Sequence, residues 1–597
     1  MKLIITDCIH KHILKKGENP QIITMREFNT AEISLIRKMN LYRYYMPSLT
    51  ESEIKEFFEE LDNFWNQTIK HFNRDHYFWR NVVSSKIQDG EKSVAHLALL
   101  LFVLHKRQSP EQQYIFVCNS IKEAYTVDRF ASAMAWDIQI RLSMILHPLV
   151  RYILQHGYNT WKFLRMSLIF SYFKIFSPWF VPKHNRRNKN VLISTHSYPK
   201  SFIDGTYHDY YFGHIHNEFK SYEYSVTYIT DPLDNFRLCA KKIKECNAVD
   251  IILIYSLVSW YEHMLILLRI LSRSFTPKLS IINATFLGVD FSELIQHTFQ
   301  RVSYFNFHAE FYYTAVMKLC KTKSFDMFLY PHEGNICEMA CIQAFKRILS
   351  TPVIGYSHAD ICPMNIKMYV TDYEKTVRPE PDYFVASGNY SKDLLYKLCN
   401  RDPNKVRIGT FMRELPIVSD PSNNRSHKNT ILIATEGYMA AVKTLDWVFE
   451  NSRVFFGLHV VLRGHPNVPI NSLLQFCIKK KPDNFTITHE SLKQNLESSL
   501  CVVYRQTSVG MQALLYGIPV IHLNIDSPMS TDPLFEFNEK GKWSVKTSKE
   551  LEIAINEIKH MSTKEKTLIK DHASLFIKQY FAPHNNKTIE AFISTQL

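Results

Sequence analysis

Short apolar runs recur along the chain, each closed by a polar turn and followed by a stretch with helical spacing. Met1-Lys-Leu-Ile-Ile-Thr-Asp-Cys8 reads as a first β-strand, too short an apolar run for a secretion signal. Tyr114–Cys118 reads as a buried strand, with a helix over Ile121–Met134 behind it. Asn190–Thr195, Tyr224–Ile229, Ile251–Tyr255, Phe325–Tyr330, Pro352–Tyr356 and Pro381–Ala386 continue the series, and Asn335–Leu349 has the pattern of a helix. After Asn429-Thr-Ile-Leu-Ile-Ala-Thr-Glu-Gly437, strands are predicted at Val454–Phe456, Leu458–Leu462, Phe485–Ile487, Leu500–Tyr504 and Pro519–Leu523. Strands alternating with helices in this way predict an α/β class with parallel sheets.

The series is interrupted at 416–428, a segment rich in Pro, Ser and Asn that reads as a linker. The expected organisation is an N-terminal α/β domain over 1–420, on the acceptor side. A C-terminal α/β domain over 429–597 binds nucleotide and ends in helices. Two Rossmann-like domains facing each other across a cleft fit this division. Ligands in open parallel sheets bind beyond the C-terminal ends of the strands.

Residues 138–203 break the pattern differently, for they contain no Asp or Glu. Arg141, Arg151, Lys162, Arg165, Lys174, Lys183, Arg186, Arg187, Lys189 and Lys200 are mixed there with Trp161, Phe163, Phe170, Phe173, Phe176, Trp179 and Phe180. Basic and aromatic residues on a helical spacing describe an insertion, about 138–189, lying on an anionic membrane face. Each basic side chain near anionic lipid contributes about 1 kcal/mol. A buried helical insertion whose charges share one sign is the other reading. The apolar stretch Ile251–Leu271 carries Glu262, His263 and Arg269, so it reads as buried or interfacial rather than as a span.

Composition narrows the partners. The chain has 597 residues, 46% of them hydrophobic and 21% charged, which is globular and long enough for two or three domains. A formal charge of +14 favours anionic partners. Without a zinc finger, an RNP motif or a basic-aromatic array, phosphate-bearing substrates and membrane rank above nucleic acid. Eleven cysteines without a C-x-x-C pair read as free thiols in a reducing cytoplasm.

Three polar turns at predicted strand ends carry the candidate chemistry. Glu333 and Gly334 follow the first; a carboxylate there suits a general base, and equally a helix N-terminus favoured by the dipole. Arg463-Gly464-His465-Pro466 follows another. Arg and His there suit contact with a phosphate, while a loop histidine without a role fits as well. Gln506, Thr507 and Ser508 precede a helix over Val509–Tyr516. Free N–H groups there favour an anion, and ordinary capping by Thr or Ser is the alternative. Glu436-Gly437 is a further Glu-Gly turn that could meet the donor. His358 and Asp360 end another strand and could line the acceptor side. Glu338 lies along the following helix as a weaker candidate base.

Taken in order, Glu333-Gly334, His465-Pro466 and Thr507-Ser508 resemble the motifs of the GT-B bacterial sialyltransferases and Kdo transferases. They are similar also to those of surface-carbohydrate biosynthesis proteins of nonulosonic acid pathways. The resemblance covers about residues 326–525. It implies an inverting glycosyltransferase of bacterial surface polysaccharide, such as capsule or lipopolysaccharide. That enzyme would move a sialic, legionaminic, pseudaminic or Kdo-type acid from CMP to a glycan or lipid-linked acceptor, with no cofactor and no metal. Glu333 would be the base and His465 would contact the CMP phosphate. Thr507 and Ser508 would hold the phosphate or the donor carboxylate. The chain has no Asp-x-Asp motif, and His332 stands where the family has its first acidic residue. Three rivals remain on the same architecture: a CDP-polyol phosphotransferase, a nucleotide-sugar epimerase, and a non-catalytic membrane-associated scaffold.

Overall fold

The structure, a computed structural model, describes residues 2–6, 21–23, 30–38, 42–43, 45–72, 75, 77–84, 86, 93–107, 113–118, 120–142, 157–158, 160–165, 167–168, 189–203, 205–233, 235–274, 283–412, 429–437, 440–465 and 468–593. The linker at 416–428 and Pro466 lie outside these, as does most of the basic stretch beyond residue 142.

The strands build three parallel sheets. The first holds β1 (Lys2–Thr6), β2 (Gln21–Ile23), β3 (Tyr42–Arg43), β4 (Gln113–Cys118) and β5 (Ile138–Leu142), in the order β3-β2-β1-β4-β5. The second holds β6 (Lys189–Ser197), β7 (Tyr224–Pro232), β8 (Asp250–Leu253), β9 (Met327–Pro331), β10 (Val353–Ser357), β11 (Tyr383–Ala386) and β12 (Val406–Ile408), in the order β8-β7-β6-β9-β10-β11-β12. The third holds β13 (Thr430–Ala434), β14 (His459–Arg463), β15 (Phe485–Ile487), β16 (Cys501–Tyr504), β17 (Val520–Leu523) and β18 (Lys542–Val545), in the order β15-β14-β13-β16-β17-β18. Each is a Rossmann-type order: the chain runs outward from its first strand, then crosses back to the other side. The central strands of the second and third sheets are buried on both faces, which is why they read as continuous Val, Ile and Leu runs.

The second and third sheets are the two Rossmann-like domains expected on either side of a cleft. Among the described residues, 1–420 thus hold two large parallel sheets. The first is not a separate lobe. Its helices α1 (Glu51–Phe72) and α2 (Val94–Lys106) share one hydrophobic core with the face of the second sheet covered by α4 (Tyr304–Thr322) and α5 (Ile336–Ile348), next to α3 (Trp260–Ser274). The first sheet also meets the third domain. Ile478 packs on its far face, and the Met46 and Leu49 amides donate to Asp526 Oδ1 at 2.9 Å and to the Pro528 carbonyl at 2.8 Å.

Two predicted elements differ. Ile138–Leu142, at the start of the expected helical insertion, is the edge strand β5; it pairs along β4 from Tyr114 to Cys118, which fixes it extended. Ser452–Phe455 is a short 3-10 turn where a strand over Val454–Phe456 was expected, closed by Val454 N–H on the Asn451 carbonyl.

The third domain also carries α6 (Val509–Leu515) and α7 (Thr563–Tyr580), and α8 (Asn586–Glu590) follows them. After α7 the chain returns to the second sheet: Ala582 N–H donates to the Ser387 carbonyl at 2.7 Å, and Ile589, Phe592 and Ile593 enter the core with Tyr356 and Val385. The two walls of the cleft are therefore tied by the C-terminal segment on one side and by the first sheet on another.

Candidate functional site

A cavity of about 920 Å³ lies between the second and third domains. Every polar turn singled out above that lines it follows the C-terminal end of a strand. From the second domain come His196 at the end of β6, Glu333 after β9, and His358 and Asp360 after β10. Facing them are Glu436 and Gly437 after β13, His465 after β14, and Gln506, Thr507 and Ser508 after β16. In both domains the turns flank the point where strand order reverses, β6/β9 and β13/β16, the crevice where doubly wound sheets bind ligands.

Glu333 is the anionic centre of the second-domain wall. His358 Nε2 stands 3.1 Å from its Oε1, Asn335 Nδ2 donates to its Oε2 at 3.2 Å, and Lys367 Nζ lies 4.0 Å away. Burial would raise this carboxyl, but His358, Lys367 and Asn335 together hold it well below the usual carboxylate range. The turn is shared with Glu338, which reaches back from α5 to accept from the Glu333 and Gly334 amides at 3.1 and 3.0 Å and from Asn335 Nδ2 at 3.0 Å. Burial and the charge of Glu333 push Glu338 up to about 8. Of the two carboxyls, Glu338 is the one whose surroundings favour the protonated form. His332 is buried between Tyr330 and Phe384, and burial followed by the charges of Arg401 and Arg378 keeps it neutral. The turn therefore has a second carboxyl group, supplied from within the helix rather than from position 332.

On the third-domain wall, His465 is seated on Gly437: a Cβ built at that glycine would meet the imidazole Cγ and Nδ1 at 3.0 Å. Glu436, expected to meet the donor, is part of the cavity lining but is held by its own domain. It is 2% exposed and engages Arg505 Nη1 at 3.0 Å and Thr444 Oγ1 at 3.2 Å. Ser508 begins α6 without a side-chain cap, and Thr507 Oγ1 accepts weakly from Val509 N–H at 3.4 Å. The Ser508 hydroxyl is therefore not used for capping.

Three further expectations are corrected. Arg463 does not line the cavity; its Nη1 donates to the Glu490 carbonyl at 2.7 Å and to Asn495 Oδ1 at 2.8 Å, which hold the segment after β15. Gly464 serves close packing, since a Cβ there would lie 2.9 Å from the Val468 carbonyl oxygen. Gly334 has φ +79° and abuts the Lys367 carbonyl, so protein backbone rather than substrate makes the close approach. Pro466 is outside the described residues. Sequence reasoning missed Lys367, Lys200, His196 and Tyr211, whose ring lies 4.4 Å from that of His358. His196 was accessible to the strand-end rule, because it closes the run that begins at Asn190.

No family model matches the chain, and no curated protein matches it. Among solved structures it is similar to the glycosyltransferase of kitacinnamycin (12% identity, 68% of this chain and 98% of that chain, TM-score 0.38). It is similar also to CalG4, the calicheamicin glycosyltransferase (10% identity, 68% and 98%, TM-score 0.40). A third is the UDP-GlcNAc 2-epimerase of Methanocaldococcus jannaschii (11% identity, 65% and 99%, TM-score 0.36).

Proposed function

We propose that the chain is an inverting glycosyltransferase that moves a nonulosonic acid from CMP to a glycan or lipid-linked acceptor of a bacterial surface polysaccharide. One observation carries this reading. Turns separated by more than a hundred residues in sequence converge on a single cavity, with an ionised carboxylate on one wall and hydroxyls and an imidazole on the other. Its volume suits a nucleotide-linked sugar.

In this reading Glu333, beside His358, takes the proton of the acceptor hydroxyl as oxygen attacks the anomeric carbon. The bond to the CMP phosphate breaks on the opposite face. His465 faces that phosphate and offers it a proton, with Thr507 and Ser508 as donors and Lys200, which lines the cavity, as the cation for the sugar carboxylate. Fixed donors aimed at a developing anion supply a large part of such catalysis. Arg463 takes no part. The role of Glu436 is indirect, since Arg505 holds it beneath the turn that seats His465.

No helix among the described residues is long and apolar enough to cross a membrane. A surface contact is supported instead by Trp260, Tyr261 and Leu268 on α3 and by Trp161 and Leu168 on the adjacent 157–168 segment, all more than half exposed. Phe163 joins the two, stacked on Phe307 and set against His263. Lys162, Arg165 and Arg269 border this face, which suits anionic headgroups.

Donor turnover tests the proposal. CMP should be released from CMP-linked sugar acids, with transfer to acceptor and inversion at the anomeric carbon. Turnover of CDP-polyols, epimerisation of a UDP-sugar, or no turnover at all would favour the phosphotransferase, epimerase or scaffold reading instead.

A further inference from the structure

Behind the cavity wall, Cys337, His308 and Asp231 form a line of nucleophile, base and carboxylate to which the proposed transfer gives no role. Cys337 Sγ lies 3.7 Å from His308 Nδ1, and His308 Nε2 lies 3.4 Å from Asp231 Oδ2. Asp231 is fixed by Tyr312, whose hydroxyl donates to Oδ2 at 2.7 Å, and by the Tyr255 hydroxyl on Oδ1. Tyr304 stacks on the His308 ring at 5.6 Å between centroids, and Lys162 Nζ lies 4.5 Å from the Tyr304 ring centre. Cys337 is the second residue of α5, where the free N–H groups of a thirteen-residue helix favour a thiolate. It is also the one half-exposed cysteine among those described; the others are buried.

We propose that Cys337 is a reactive thiolate, activated by His308 and positioned through it by Asp231, that undergoes exchange with small disulfides. The proton of Sγ passes to His308 Nδ1. The thiolate attacks one sulfur of R–S–S–R, an Sγ–S bond forms, and the R–S⁻ that leaves takes the proton back from His308. No net oxidant is consumed beyond the disulfide itself. Burial alone would lower His308, but its contacts with Cys337 and the carboxylate of Asp231 hold it well above its ordinary value. The groups facing this pair are Asp231, Tyr255, Tyr304, Tyr312 and Cys341, with His196 on the Asp231 carbonyl at 3.4 Å. The modified sulfur would stand next to Glu338 and Asn335, which hold the Glu333 turn. The inference is independent of which donor or acceptor the cavity takes.

The full-length chain is treated with dithionitrobenzoate over a pH series, and modified cysteines are located by peptide mapping. Cys337 is expected to react first, about tenfold faster at neutral pH than an unperturbed thiol, with its rate midpoint below the ordinary value of about 8.5. His308→Gln should slow it about tenfold at neutral pH yet leave the rate near pH 10 unchanged, where any thiol ionises. That high-pH rate also reports an intact site. Asp231→Asn should move the midpoint upward without changing the plateau. A midpoint at or above 8.5, or a His308→Gln rate equal to the parent's at neutral pH, overturns the proposal.

Discussion

His358 Nε2 stands 3.1 Å from Glu333 Oε1 at the centre of the second-domain wall, and Lys367 Nζ lies 4.0 Å from the other oxygen, so the carboxylate of this site is held between an imidazole and a cation. A base held this way is ionised across the working range, and its basicity comes from the pair rather than from Glu333 alone. Replacing Glu333 with Gln should lower the transfer rate by about 10²–10⁴-fold while donor binding persists. Replacing His358 with Asn removes an interaction that lowers Glu333. The acid limb of the rate profile should then move to higher pH, as steady-state kinetics over a pH series would record.

Glu338 gives a stability prediction. Its usual value near 4.5 is raised to about 8 in the fold. A raised carboxyl stabilises the fold fully below 4.5, and this contribution is lost as pH rises through 8. Glu338→Gln keeps a neutral side chain at every pH. The variant's denaturation midpoint should therefore gain on the parent's steadily between those two values, then level off. Parallel curves would show that Glu338 does not titrate there.

Gly437 seats His465, and the fit is too tight for a methyl group unless the imidazole gives way. Gly437→Ala should displace the imidazole and weaken donor turnover far more than it alters unfolding by denaturant. Equal turnover in parent and variant would separate His465 from the reaction.

The apolar face of α3 and the 157–168 segment predicts binding to vesicles containing anionic lipid, weakened by salt. Leu268→Glu and Trp161→Asp should each reduce flotation without loss of turnover on a soluble acceptor. Flotation indifferent to lipid charge, salt and both substitutions would remove the membrane from the account.

The sequence was most legible where local chemistry decides structure. Runs such as Phe325–Tyr330 and Leu500–Tyr504 could only be buried parallel strands, so the turns closing them had to gather at one edge. Glu333, His358, His465 and Ser508, which line the cavity, were singled out this way. Long-range partners were not legible. Arg463 has the look of a phosphate ligand until Asn495, a distant residue, engages it. Glu436 likewise reads as a site carboxylate until Arg505 closes on it. The first sheet was legible in part: β1 and β4 read as strands, but β2 and β3 are three and two residues long, too short for any periodicity to show. Lys367 arrives by a turn with no strand-end signal at all.

A structure of the chain with CMP bound tests the central claim most directly. The account predicts cytidine monophosphate in the cavity between the second and third domains, its phosphate within hydrogen-bonding distance of both His465 and Ser508, and Glu333 open toward the space the sugar would fill. A phosphate that contacts neither residue, or a nucleotide bound outside this cavity, would contradict it.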